Sequence, residues 1–255
     1  MTMCRLGLVT VIFVASVGIA ASQTIDIGTG KGPDIKYRPI LIGNGPDALI
    51  NKIDTAELIK QGQQKGAVMF ICLVSHTGVV TWARTYGAGG DVRFLEKELQ
   101  RQLSAAANPH FIPGIYDHLP VDALYFGTVT FAVVNGKPRL RIFSNQQAEE
   151  VSKESDFIGP QPVLGGLSKF VGFEYPSIVA HRAALVDGFV QVRLNVDETG
   201  NLQGLEVIEE TPPLIGFGEA AILDLRGAKF IPAFRNGTPV ACDVTLPIYY
   251  KAPIF

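Results

Sequence analysis

The chain has 255 residues, 47% of them hydrophobic and 18% charged, which is enough apolar material for one or two buried cores. With a formal net charge of -2, no basic surface argues for nucleic acid and no acidic tail argues for a basic partner. Electrostatics alone names no ligand.

The chain opens with Arg5, then an apolar run from Leu6 to Ala20 broken only by Thr10 and Ser16, then small residues at Ala20, Ala21 and Ser22. This is the layout of a secretory signal. The run is about fifteen residues long, where a membrane-crossing helix takes about twenty, so cleavage near Ala20 to Ser22 is expected over the rival, a retained anchor. Cys4 precedes the run and no cysteine stands at the processing site, which argues against lipid attachment. Residues 1–22 are therefore read as a signal peptide and 23–53 as an amino-terminal extension, with the mature chain in the periplasm. Cys72 and Cys242 would there meet conditions in which disulfides persist. Each lies in a strand-like run, however, and sequence alone does not bring them within the roughly 7 Å of a disulfide, so two separately buried thiols are expected.

A helix is expected over Thr55 to Gln61, capped by Asp54 or Thr55, opening a domain at residues 54–150. Gly66 to Val74 reads as a strand, and the Ser75-His-Thr-Gly78 turn follows it. Beyond Tyr86-Gly-Ala-Gly-Gly90, Asp91 can cap a helix whose Leu95, Leu99 and Leu103 share one face. Phe111-Ile-Pro113 and Pro120-Val121 lead to a third strand. Thr128 to Val134, an Asn135-Gly136 turn and Arg139 to Phe143 then predict an extra hairpin. Residues 151–172, with Ile158-Gly-Pro-Gln-Pro-Val-Leu-Gly-Gly166 at their centre, read as a linker.

Residues 173–255 repeat the pattern. Gly188 to Gly200 lines up with Gly66 to Gly78 without a gap, Phe230-Ile-Pro232 with Phe111-Ile-Pro113, and Pro239-Val240 with Pro120-Val121. An ancient duplication is inferred. Val190, Val192, Leu194 and Val196 alternate with Gln191, Arg193 and Asn195, the period of a strand with one buried face. After Asp197-Glu-Thr-Gly200 a returning strand runs from Leu202 to Ile208, and Thr211-Pro-Pro213 stops the pairing. Gly218 to Leu225 is a short helix ending at Gly227, and Asn236-Gly237 turns the chain into a strand from Val240 to Tyr250. A helix is also expected over Ser177 to Ala184, after Tyr175-Pro176.

This second copy resembles the TonB carboxy-terminal domain family. That family reads Tyr-Pro, then Gly-x-Val-x-Val-x-Phe-x-Val and a Gly turn, an Ala-Ala helix closed by Arg, Phe-x-Pro-Ala, and Gly-x-Pro-Val before an apolar last strand. Here stand Tyr175-Pro176, Gly188 with its alternating valines, Gly200, Ala220-Ala221, Arg226, Phe230, Pro232-Ala233, Gly237 and Pro239-Val240. The chain departs from the family at Glu209-Glu-Thr-Pro-Pro213, where Ser-Ser-Gly is common, and at Ala228, where Trp is usual. The resemblance implies a last strand at a sheet edge that pairs with an extended segment of an outer-membrane receptor or other envelope protein. Val240, Cys242, Val244, Leu246 and Ile248 are the candidate partner-binding residues.

The resulting expectation is an α+β chain of two tandem small domains, each an antiparallel sheet of three or more strands carrying one or two helices. A membrane-anchored energy transducer is the alternative function. Against it, Leu6 to Ala20 has no His, Asp or Glu, and residues 23–48 have only Pro33, Pro39 and Pro46 for a periplasm-crossing rod. An enzyme is the remaining alternative. His76, His110, His118 and His181 have no metal-ligand spacing, no Gly-x-Ser-x-Gly occurs, and Cys72 aligns with an inward Leu194. Trp82, Tyr86 and Tyr125 are expected to pack rather than to form a binding platform. No catalytic residue, cofactor or metal is expected, and the sequence fixes no oligomeric state.

Overall fold

The computed structural model describes residues 34–104, 106–177 and 185–253. Residues 1–22 and residues 23–33 of the extension, and the helix expected after Tyr175-Pro176 beyond Ser177, with His181, lie outside them.

The first half begins with β1 (Tyr37–Arg38), α1 (Leu49–Lys52) and α2 (Thr55–Lys60), the last capped as expected by Asp54, which accepts the Glu57 N–H at 2.9 Å. β2 (Lys65–Val74) and β3 (Val80–Gly89) form a hairpin, and α3 (Arg93–Gln102) buries Leu95 and Leu99 on its inner face. Asp91 is not the helix cap. Val92 takes that place, and the Asp91 carboxylate binds the Arg93 guanidinium instead. Next come β4 (Gly114–Tyr116), β5 (Leu119–Val121), β6 (Ala123–Val134) and the expected extra strand β7 (Lys137–Phe143), then α4 (Ala148–Ser152) and β8 (Gln161–Val163).

The second half contains β9 (Gly188–Val196), β10 (Leu202–Thr211), α5 (Phe217–Leu225), β11 (Lys229–Ile231), β12 (Ala233–Arg235), β13 (Thr238–Val240) and β14 (Cys242–Tyr250). The single strand expected from Val240 is thus two, parted at Ala241. Val190, Val192, Leu194 and Val196 are fully buried under α5 while Arg193 stays exposed, bonded to Glu206 at 3.0 Å. Burial of each contributes about 1.5 to 3 kcal/mol, which holds the register.

The halves share element order and pairing. β2 lies between β3 and β6, and β9 lies between β10 and β14, all antiparallel, with the short hairpins β4–β5 and β12–β13 in matching places. Their first turns match atom for atom. Gly78 N–H donates to Ser75 O at 2.8 Å and Gly200 N–H to Asp197 O at 3.0 Å, and the Phe111 and Phe230 N–H groups both close on the glycine carbonyl at 2.9 Å.

Residues 151–172 are more than a connection. They carry β8, which pairs with β11 of the second half and, at Val163, with Ala123 of β6, so one six-stranded sheet runs β11-β8-β6-β2-β3 with β7 on β6. Nor are the cores separate. Ile71, Leu124 and Phe126, on the face of that sheet away from α3, join Val190, Val192, Leu194, Phe217 and Leu246 in one apolar cluster. The reason is visible in β2: Val68-Met-Phe-Ile-Cys-Leu-Val is an unbroken apolar run, which a strand covered on both faces requires.

Candidate functional site: the strand edges

A strand binds another chain through the edge along which its N–H and C=O groups point outward. Among the described residues, β14, β10 and β3 each lie at the end of a strand path.

Val240 lies in β13, opposite Ala233. Cys242, Val244, Leu246 and Ile248 lie in β14, opposite Val196, Leu194, Val192 and Val190. Val244, Leu246 and Ile248 are buried side chains of the shared core, 5%, 5% and 1% exposed. Cys72 and Cys242 are both free thiols. Burial, reinforced by nearby Asp243, pushes the Cys242 thiol up to about 12, and burial raises Cys72 as well. Neither is a nucleophile at neutral pH.

Backbone direction alternates along a strand, and Thr245 fixes the phase. Both its N–H and its C=O point away from β9, to the Gln147 carboxamide, at 3.2 Å to Oε1 and 2.9 Å from Nε2. The outward positions of β14 are therefore Asp243, Thr245, Pro247 and Tyr249, and the sequence-derived residues from Cys242 on face the other way. This edge is occupied by the chain's own first half. Gln147 holds Thr245, Pro247 has no N–H to offer, and the Arg84 guanidinium donates to Tyr249 O at 3.2 Å while lying 5.3 Å from the Tyr249 ring. Tyr86 packs on Tyr249 with ring centroids 4.5 Å apart. Strand periodicity could have given the phase of β14. No sequence signal marks Gln147 or Arg84 as its partners.

The edges of β3 and β10 differ. Among the described residues, β3 pairs only with β2, and β10 only with β9. An isolated bridge starts each, Val79 with His110 and Asn201 with Lys229, after which the neighbouring chain turns away. Beside each lies a groove between the strand and the carboxy-terminal end of the helix. One, of about 710 Å³, runs along Val80 to Thr85 under Gln100 and Leu103; the other, of about 400 Å³, runs along Asn201 to Leu205 under Ile222 and Arg226.

Elsewhere among the described residues, the titratable groups His76 and His118 stand in separate pairs. His76 Nδ1 lies 2.8 Å from Asp122 and His118 Nδ1 2.6 Å from Asp34, each an isolated pair, and no group of three or more metal-ligating side chains occurs among the described residues. Tyr86-Gly-Ala-Gly89 forms the end of β3. Tyr125 is fully buried and bonded to Ser144, and Tyr86 is bonded to Gln146, whereas Trp82 is 48% exposed at the mouth of the larger groove.

Residues 172–252 match the family model for the Gram-negative bacterial TonB protein C-terminal. The match spans β9 to β14 with α5. Comparison with curated proteins and with solved structures returned no match.

Proposed function

We propose that a chain whose residues 172–252 form a TonB C-terminal domain is an exported periplasmic protein that binds another envelope protein by strand addition and carries out no chemistry of its own. The first half, on this reading, is a divergent second copy of the same domain, fused to the first through β8 and a common core. The observation that supports it best is an antiparallel scaffold in which β3 and β10, among the described residues, each have a strand on one side only. The β14 edge, with Val240, Cys242, Val244, Leu246 and Ile248 behind it, enters this proposal as a second docking place. A partner would reach it by displacing Gln147 and Arg84.

The test is made in the envelope. A photoreactive residue placed singly at Trp82, Gln203 and Asp243 should cross-link one and the same envelope protein from at least one edge, and mass spectrometry should place the mature amino terminus near Gln23. A retained leader that fractionates with the inner membrane would turn the reading to the transducer. Absence of a cross-link from all three edges would reject partner capture.

A further inference from the structure

On the face of the six-stranded sheet away from α3, side chains stand in cross-strand rows. Trp82, Leu73 and Leu124 lie opposite one another across β3, β2 and β6, and Arg84 lies opposite Ile71 in the next row. Directly paired residues share a face of a sheet, so these five look toward the second half. There they meet Ile248 and Tyr249 of β14 and the segment 171–174, and a cavity of about 200 Å³ lies between these walls. Junctions between folded halves are a usual place for small-molecule sites.

The walls are held by contacts outside the cavity. Phe173 packs edge-on against Phe170 with ring centroids 4.9 Å apart, and the Tyr249 ring packs with Tyr86 and Phe189 at 4.5 and 4.9 Å. Both ends of the 171–174 segment are tied. Phe170 O accepts the Gly165 N–H at 2.9 Å, and the Tyr175 hydroxyl donates to Val186 O at 2.9 Å. A site with walls fixed in advance loses less free energy to ordering when a ligand enters. Ile71, Leu124 and Ile248 are buried, whereas Trp82 and Val171 are exposed, which places the floor at the first three and the mouth at the last two.

Charge does not favour an ion. Arg84 and Glu174 are the charged side chains of the lining, one of each sign. Further charges close by again have both signs, Lys251 in the groove beside β3 and Asp224 near Glu174. An ion entering this largely apolar space would lose hydration without a net counter-charge, which costs more than burying its uncharged counterpart.

We infer that this cavity binds a small uncharged molecule built on one aromatic ring. Its volume exceeds the about 150 Å³ at which an apolar cavity admits benzene, and it is smaller than the about 300 Å³ at which drug-sized pockets begin. One ring fits and a nucleotide does not. Trp82, Phe173 and Tyr249 offer aromatic faces and edges to it. A hydroxyl on the ligand can accept from Arg84 or donate to Glu174 without bringing in charge. The site does not depend on strand addition. A strand added beside β3 would lie about 10 Å from β2, too far for its side chains to reach Ile71 and Leu73.

Benzyl alcohol titrated into the full-length, methyl-labelled chain tests this by NMR. Shifts should saturate with a dissociation constant on the order of 1 mM and concentrate on the methyls of Ile71, Leu73, Leu124 and Ile248. Benzoate and benzylammonium, ions with the same ring, should bind at least about fivefold more weakly. Leu164→Trp places a ring inside the cavity and should weaken binding at least about fivefold. Val171→Trp should do the same from the mouth, and at an exposed position it decides the matter if Leu164→Trp does not fold. Gln100→Ala, which alters only the groove beside β3, should leave binding unchanged. Shifts that fail to saturate, tighter binding of either ion, or binding indifferent to Val171→Trp would overturn the inference. Stronger binding of the peptide Gly-Gly-Phe-Gly-Gly than of benzyl alcohol would assign the cavity to a side chain of a partner and overturn it as well.

Discussion

The Gln147 carboxamide stands beside Thr245 as one residue of a neighbouring strand would, accepting its N–H at 3.2 Å and donating to its C=O at 2.9 Å. One side chain thereby satisfies both outward backbone groups in the middle of β14. Unpaired strand edges invite unwanted pairing, and a side-chain amide is a local way to close one.

Replacing Gln147 by Ala should therefore leave the fold intact and open this edge. Two hydrogen bonds are lost at a partly exposed position, where water can substitute, so urea denaturation should show a loss of about 1 to 2 kcal/mol. Exchange of the Thr245 amide should accelerate about tenfold or more. An unchanged exchange rate would mean that Gln147 does not guard the edge.

The turn glycines give a test that compares the halves directly. Gly78 and Gly200 have φ of +85° and +80°, and a Cβ built on them would lie 2.1 Å from Phe111 O and 1.8 Å from Phe230 O. A side chain meets both a left-handed backbone and a collision with a carbonyl that cannot move without breaking the Phe N–H bond to the same glycine. Gly78→Ala and Gly200→Ala should each destabilise the chain by about 2 to 4 kcal/mol in urea titration. A mild effect at one and a severe effect at the other would show that the two turns do not bear equivalent loads.

These turns also show what the sequence makes legible. Ser75-His-Thr-Gly78 and Asp197-Glu-Thr-Gly200 share the residues that set their geometry, so the repeat, the hairpins and the α+β class could be read from local pattern. Ser75 Oγ accepts the Val79 N–H at 3.1 Å much as Asp197 Oδ1 accepts the Asn201 N–H at 2.9 Å, although the residue type differs. The joining of the halves could not be read so directly. Gln161-Pro-Val163 is a strand only because β6 and β11 stand on either side of it, and its proline-flanked sequence resembles any connection. The apolar Ile71 and Leu73 were the available signal that β2 is covered twice. The outward backbone phase of β14 is harder to read, because inward side chains such as Val244 and Leu246 are conspicuous in sequence, whereas the outward N–H and C=O groups belong to the residues between them.

Asp224 gives a pH test. Burial lifts its carboxyl to about 6, against the Tyr250 hydroxyl bond and with Glu174 adding repulsion. Its folded pKa lies above the unfolded value of about 3.9, so the folded state binds this proton more tightly. The associated stability is complete below pH of about 4 and disappears as pH rises through about 6. Full linkage would amount to about 3 kcal/mol, but Asp224 is only half-buried and solvent screening reduces this to about 1 kcal/mol. Asp224→Asn should thus raise the urea midpoint at pH 7.5 relative to the parent and lose that advantage at pH 4. A parent-minus-variant difference that does not change with pH would contradict the assignment.

Phe126 and Leu124 bear on whether the matched segment is a free-standing module. Both side chains, with Ile71, Phe157 and Phe170, lie outside residues 172–252, yet pack against Val190, Val192 and Ile248 within them. β11 likewise has its strand partner, β8, outside the segment. Excision of 173–255 would expose that apolar surface and strip β11 of its ladder, so the fragment should lack a cooperative thermal transition where the full chain has one. In the full chain, Leu124→Ala removes core volume at the junction and should cost about 2 to 5 kcal/mol. The cost should appear equally in the fluorescence of Trp82, the chain's single tryptophan, and in amide exchange of β9, because both report one unfolding event. A stable, cooperatively melting fragment, or a Leu124→Ala variant that loosens β3 while β9 keeps its protection, would show that the halves fold independently and that the common core joins them without coupling them.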